Sequence, residues 1–383
     1  MNFAHMAKPK GLAIFTTALG NRTFAERAIA ALNQIDDIEF EYICVGAEDF
    51  KTHPAPWWAR PTDPWESRYI ARRKARPQIN ENVRLLLVFS WEYVIEFQDI
   101  AKRIPAAAFV DAVPSTVNAH LRRRGHTGWK RRLSHEVHHR AFRAAVPHYR
   151  FFLAWGSDAA EALEREYSVD RKRCLVTLIP QDLDLWTPGP PTSSPGLRLM
   201  FAGNDFYRKG GEFLLQLFAD HLSSFCTLTI ASNDPIAESL SLPAGVEWLP
   251  GRDRAQLLEI YRRSDVFIFP TLQDYAATNV VCEALACGVP CIANDVGGIR
   301  DVVRDETTGF LMPLGAPASV WAQRIEALHT DRHRLAQLAA GARRFAEENL
   351  STERFRENLA GVIRSLLSGP TEQLPPPRRC GPA

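Results

Sequence analysis

The sequence predicts an α/β protein built of two doubly wound, Rossmann-like domains. Three observations carry this. Short continuous apolar runs alternate with helix-length segments along most of the 383 residues. A Pro-, Gly- and Ser-rich stretch, WTPGPPTSSPG at 186–196, interrupts that rhythm, which resumes after it. A hydrophobic content of 46% over this length is enough for two cores. Continuous apolar strands between helices belong to a parallel sheet covered on both faces.

In chain order, GLAIFTTA (11–18) reads as a buried strand and NRTFAERAIAALNQI (21–35) as the helix after it. Strands follow at EFEYICVG (39–46), VRLLLVFS (83–90) and AAAFVDA (106–112), with WEYVIEFQDIAKRI (91–104) as a helix between the last two. RFFLAWGS (150–157) and CLVTLIP (174–180) flank a further helix, DAAEALEREYS. Beyond the Pro/Gly stretch, strands are expected at LRLMFAG, CTLTIAS, GVEWLPG, VFIFPT and PCIAND. Three helices, at 316–330, 332–349 and 352–368, close the pattern. The expected organisation is a first domain over 1–185, a linker at 186–196 and a second domain over 197–350. A terminal helix at 351–367 packs back on the first domain, and a disordered tail occupies 368–383. No internal sequence repeat is visible.

Net charge is only +2, but it is unevenly spread. Residues 101–150 hold eleven basic side chains against two acids, Asp111 and Glu136. The seven cysteines show no paired spacing, which fits reduced thiols in a cytoplasmic protein. No signal-peptide core and no apolar run of about 20 residues is present, so the chain reads as soluble or peripheral.

Ligands of doubly wound sheets bind beyond the carboxyl ends of strands, so the cleft that the two domains face is the expected site. In FAGNDFYRKGGEF (201–213) a strand ends at Gly203 and a helix begins near Gly210. Arg208 and Lys209 stand before that helix, and Gly210 and Gly211 permit close backbone approach. Helix N–H groups, the dipole and two cations suit a diphosphate. In DYAATNVVCEALACG (274–288) a loop enters a second helix. Its N–H groups near Ala277, Thr278 and Asn279 can face an anion. Glu283 is an acid inside an apolar helix, placed to accept from ligand hydroxyls. Gly297 and Gly298 bring a third loop to the same edge.

RKGG followed by FPTLQDYAATNVVCEALACGVPCIANDVGGIRDVVRDETTGFLMPLG resembles the donor-binding half of retaining, GT-B-fold glycosyltransferases of family 4, the glycosyl transferases group 1. The resemblance covers about 200 to 315. Gly20 in TTALGNRTF matches the glycine-bearing loop after the first strand, and FVDAVPST the loop near sugar and acceptor. The resemblance implies a nucleotide-diphosphate sugar as donor substrate on the second domain and the acceptor on the first. It implies no bound cofactor and no metal. Lys209 and Arg208 would neutralise the leaving diphosphate, aided by helix N–H groups near Thr278, which makes catalysis chiefly electrostatic. Glu283 would hold the nucleotide ribose. Gly251, Arg252 and Asp253 would lie near the base, with Gly203, Asn204, Asp274, Tyr275 and Gly297–Gly298 completing the donor site. Asp111 is the candidate from the first domain, as a sugar or acceptor contact or as a turn former.

Three departures stand out. The family has two glutamates separated by seven residues, and the first of them falls on Tyr275 here, with Asp274 adjacent. Asn204 stands where many relatives carry Arg. The glycine after the linker proline is missing in IPQDLD. Two rival readings remain: a catalytically altered nucleotide-sugar-binding or partner protein, and a nucleotide-sugar epimerase of similar fold. His135 and His139 are one helical turn apart, yet no third zinc-ligand motif follows, and a solvated helix face is the expectation. The basic segment 120–143 is open to three readings: an ordinary surface, contact with anionic membrane lipid or a lipid-diphosphate acceptor, and nucleic acid, for which no motif is present. Trp57 and Trp58 suit either sugar stacking or packing.

Overall fold

The computed structural model describes residues 8–17, 21–52, 63–123, 125, 128–190, 194–236 and 240–368. One compact unit runs to Thr177 and takes the chain up again at Glu353; the other spans Leu178–Thr352.

The first unit holds β1 (Lys10–Thr16), β2 (Glu39–Val45), β3 (Val83–Phe89), β4 (Ala106–Val110), β5 (Phe151–Ala154) and β6 (Cys174–Val176). They form one parallel sheet in the order β2-β1-β3-β4-β5-β6. The apolar runs sit inside because both faces of such a sheet are covered; Ile14, for instance, lies between Ile43 and Val88. At the carboxyl ends of β1, β3 and β4 the register aligns Phe15, Phe89 and Phe109. Their rings stack at 3.9 and 4.1 Å. The helix Thr352–Leu367 packs in this unit, with Phe355 edge-on to Phe24 at 5.6 Å.

The second unit holds β7 (Leu197–Ala202), β8 (Cys226–Ala231), β9 (Val246–Leu249), β10 (Val266–Phe269), β11 (Cys291–Asn294) and β12 (Gly309–Met312). Its sheet is also parallel, in the order β12-β11-β10-β7-β8-β9. The strand order reverses between β7 and β10. That reversal opens a crevice between the loops leaving these two strands, which is where ligands of open α/β sheets bind.

The structure differs from the sequence expectation in several places. The units part at Thr177/Leu178 and Thr352/Glu353, before the Pro/Gly stretch and just after residue 350. Trp186 inside that stretch is fully buried, edge-on to Tyr261 at 5.7 Å, and Arg262 Nε donates to the Thr187 carbonyl. Composition marks such a stretch as a linker because it cannot register that its Trp and carbonyls are held. The Gln181 N–H donates to Leu350 O at 2.6 Å and its carbonyl accepts from Thr352 Oγ1 at 3.1 Å, so the two crossing segments are stitched together. The edge strand β12 was not foreseen: four residues opening on glycine read as a turn. The helix Asp63–Ala75 was not foreseen either, because its core side, Ile70, Ala71 and Ala75, is small and its last turn is Arg-rich. Trp57, Trp58 and the tail from 369 lie outside the described residues.

Candidate active site

After β7 the chain turns at Gly203 and reaches the helix Gly211–Leu217 through Gly210, whose φ of 78° is left-handed. A Cβ at Gly210 would stand 2.0 Å from the Pro270 carbonyl oxygen, so both conformation and space demand glycine. Gly210→Ala is therefore expected to cost roughly 2 kcal/mol or more in unfolding free energy. Denaturant titration reads this directly, and an unchanged midpoint would contradict the close contact with the β10 loop.

That close approach delivers Lys209. Its side chain is buried, and Nζ donates to both Asp274 carboxylate oxygens at 2.8 Å while lying 4.9 Å from the Phe269 ring centroid. Thr271 Oγ1 donates to Asp274 Oδ2 at 2.7 Å. Arg208 reaches Asp205 at 2.6 Å, the Gln273 carbonyl at 2.8 Å and Asp274 at 3.4 Å. Burial pushes the Lys209 ammonium below its ordinary value of 10.5, and Asp274 pulls it back up. The loops leaving β7 and β10 are thus joined by a cluster of two cations and two carboxylates at the sheet's reversal point.

The helix Asn279–Ala286 follows, with Thr278 at its N-cap. The Thr278 side chain makes no capping bond, and its Oγ1 is buried without a partner. The first turn of a helix carries N–H groups that lack intrahelical acceptors, so an uncapped, polar start of this kind suits an anion. Gly297 and Gly298 lie against this loop. A Cβ on Gly297 would be 2.1 Å from the Asp274 carbonyl oxygen, and one on Gly298 2.6 Å from the Ala277 nitrogen. The Gly298 N–H also donates to Tyr275 O at 3.2 Å. These two glycines shape the site by letting the β11 loop support the segment from Asp274 to Ala277.

Glu283 is buried in the same helix and accepts from the Tyr261 hydroxyl at 3.3 Å, while that hydroxyl also lies 3.0 Å from Val280 O. Tyr261 therefore orients the one acid of an otherwise apolar helix. On the other side of β7, Asn204 Oδ1 accepts from the Asn233 N–H at 2.9 Å, and Asn233 Oδ1 accepts from the Gly251 N–H at 2.5 Å. This chain of amides links the loops after β7, β8 and β9. Arg252 turns to the Pro250 carbonyl, and Asp253 caps the helix Arg254–Arg262 through a capping box with Gln256.

In the first unit, Asp111 immediately follows β4, above the stacked phenylalanines and near Thr16, Asn21 and Ser90. Burial pushes its carboxyl up, opposed by backbone N–H groups of Asp111 and Ala112. Gly20 lies outside the described residues. His135 and His139 have ring centroids 5.7 Å apart, and His139 Nδ1 is 2.9 Å from the Tyr167 hydroxyl.

The structure brings the sequence-named Lys209, Arg208 and Asp274 into contact, and sets beside the named residues Thr271, Phe269, Tyr261 and Asn233, which the sequence reading did not name. The spacing of Thr271 and Asp274 is a local hydrogen-bonding signal that marks the first. Phe269 and Tyr261 look like plain core residues, and Asn233 like a loop residue.

Residues 196–331 match the family model described as glycosyl transferases group 1. This segment is similar to that family. The chain is 34% identical over 232 residues to a D-inositol 3-phosphate glycosyltransferase of Rhodococcus erythropolis, covering 54% of this chain and 52% of that protein. The chain thus spans about half the length of the curated relatives it matches. Among solved structures, sucrose-phosphate synthase from Thermosynechococcus elongatus superposes with a TM-score of 0.74 at 16% identity, covering 94% of this chain and 99% of that one. Anabaena HepE in complex with UDP-glucose superposes with a TM-score of 0.66 at 15% identity, covering 94% and 100%. These likenesses establish the GT-B fold for the chain as a whole.

Proposed function

We propose that the chain is a retaining glycosyltransferase that moves a sugar from a nucleotide-diphosphate sugar to a glycan, lipid-linked or small-molecule acceptor. The observation that carries this reading is the buried Lys209 ammonium, with Arg208 beside it, at the reversal point between β7 and β10. A diphosphate placed there meets two cations and the start of the helix Asn279–Ala286. The HepE complex supports a nucleotide-sugar donor, since a protein of this fold holds UDP-glucose.

On this reading the second unit binds the donor and the first unit the acceptor. Lys209 and Arg208 stabilise charge on the departing diphosphate, so that no metal is required. Glu283, oriented by Tyr261, receives the ribose hydroxyls. The loop at Gly251 and Arg252 serves the base, and Asp274 and Tyr275 face the sugar in place of the family's first glutamate. Asp111 contacts the sugar or acceptor. The protein works in the cytoplasm, peripherally at an anionic membrane through residues 120–143, in cell-envelope or polysaccharide synthesis.

A second reading, a binding protein without turnover, is favoured by one observation: Tyr275 stands at the place of an acid, and the adjacent Asp274 is occupied by Lys209. A thermal-shift screen with UDP, GDP, ADP and their sugars, followed by assay of nucleotide release, decides between the two. Binding with release over an acceptor panel supports transfer. Binding without release supports the second reading, and no binding of any nucleotide sinks both.

A further inference from the structure

The helix Trp129–Ala145 in the first unit has two dissimilar faces. His138, Phe142 and Ala145 are buried and hold it to the unit. On the opposite face, Trp129, Leu133 and Val137 are 70%, 59% and 43% exposed. Their spacing of four residues makes one continuous apolar stripe on the outside of the helix. Eight large hydrophobic side chains are exposed among the described residues, and three of them fall on this stripe, so it is a patch rather than scatter.

The charges around the stripe identify what covers it. Lys130 and Arg132 flank it, and Arg140 follows Val137 on the same face. The Lys130 ammonium lies 5.7 Å from the Trp129 ring centroid. The helix has one acid, Glu136, which is already paired with Arg140 at 2.6 Å. Lys130 and Arg132 have no ion-pair partner among the described residues. A second copy seated on this face would bring the two sets of cations together, which opposes a symmetric dimer. A surface of acyl chains beneath fixed negative charge satisfies both the stripe and its flanks. No helix among the described residues is long and apolar enough to cross a membrane; a helix with an apolar stripe and basic flanks suits the plane of an interface.

We propose that this helix docks in the plane of an anionic phospholipid surface. Trp129, Leu133 and Val137 enter the headgroup–acyl boundary, and Lys130, Arg132 and Arg140 meet lipid phosphates. This gives the membrane placement proposed above its contacting residues. It stands apart from sugar transfer, so failure of lipid binding and failure of nucleotide binding are read separately.

The test is flotation of the full chain with vesicles of phosphatidylglycerol and phosphatidylcholine, against phosphatidylcholine alone. The variants are Trp129→Ser with Leu133→Ser, and Lys130→Glu with Arg132→Glu; unchanged melting temperatures show that they fold. Binding is expected on the mixed vesicles, weakened by salt and reduced roughly tenfold or more by either pair of substitutions. Three results overturn the proposal. The first is no preference for anionic vesicles. The second is binding that loses nothing when the apolar stripe is replaced. The third is a dimer in light scattering that the apolar variant dissociates, which would make the stripe a contact between copies.

Discussion

Replacing Lys209 with alanine is expected to lower the turnover number for sugar transfer by roughly a hundredfold to a thousandfold. Negative charge on the bridging oxygen grows only as the glycosidic bond breaks, so an ammonium aimed at the diphosphate acts more on kcat than on KM. The cation is effective because it is buried: Lys209 is about a tenth exposed, against an aromatic ring and away from bulk water. The fold should survive, because Asp274 keeps Arg208 and the Thr271 hydroxyl as partners. The same geometry sets a pH signature. Burial holds Lys209 below the ordinary 10.5, and the useful form is the cation, so activity falls as pH rises through the depressed value. Lys209→Arg should remove that alkaline limb while retaining part of the rate. Wild-type turnover in Lys209→Ala would place the chemistry elsewhere.

The fold was legible because its signal is local. Leu85 to Val88 and Val266 to Phe269 are buried, and a parallel sheet covered by helices buries such runs on both faces. The cations were legible for a similar reason, since RKGG places two of them before a helix start. What remained hidden depends on contacts between distant segments. Tyr261 looks like any core tyrosine until the fold sets its hydroxyl against Glu283. Asn204 reads as a lost arginine, yet its amide begins the chain that ties three loops together. Gly297 and Gly298 read as ligand-approach glycines, but their nearest neighbours are backbone atoms of Asp274, Ala276 and Ala277. Trp186 reads as part of a linker, although it is buried. Residue types report what a position tolerates, whereas the partner is decided by topology.

Asp274→Asn is expected to loosen the unliganded protein and tighten nucleotide binding. Without ligand, the Asp274 carboxylate occupies Lys209 through two 2.8 Å contacts and leans on Arg208. A diphosphate seeking the same ammonium must displace those contacts. Asparagine keeps the shape and can still accept from Thr271, but it removes the charge. The unliganded variant then carries a buried ammonium with a weaker partner, at a cost of about 2–3 kcal/mol in unfolding free energy. Lys209 titrates lower still, because the group that raises it is gone. A nucleoside diphosphate no longer competes with a carboxylate, so its affinity should rise, by roughly tenfold if about 1.4 kcal/mol of that competition is released. Calorimetry with UDP, GDP and ADP measures this. If the affinity instead falls in step with stability, Asp274 supports the site without competing for Lys209. Adding Tyr275→Glu to Asp274→Asn then separates the two tasks of the loop. A glutamate at 275 restores an acid at the family's sugar-contacting place without reoccupying Lys209. Turnover that recovers in the double variant, with the tighter nucleotide binding retained, would show that Asp274 combines two jobs in this chain, holding the lysine and facing the sugar.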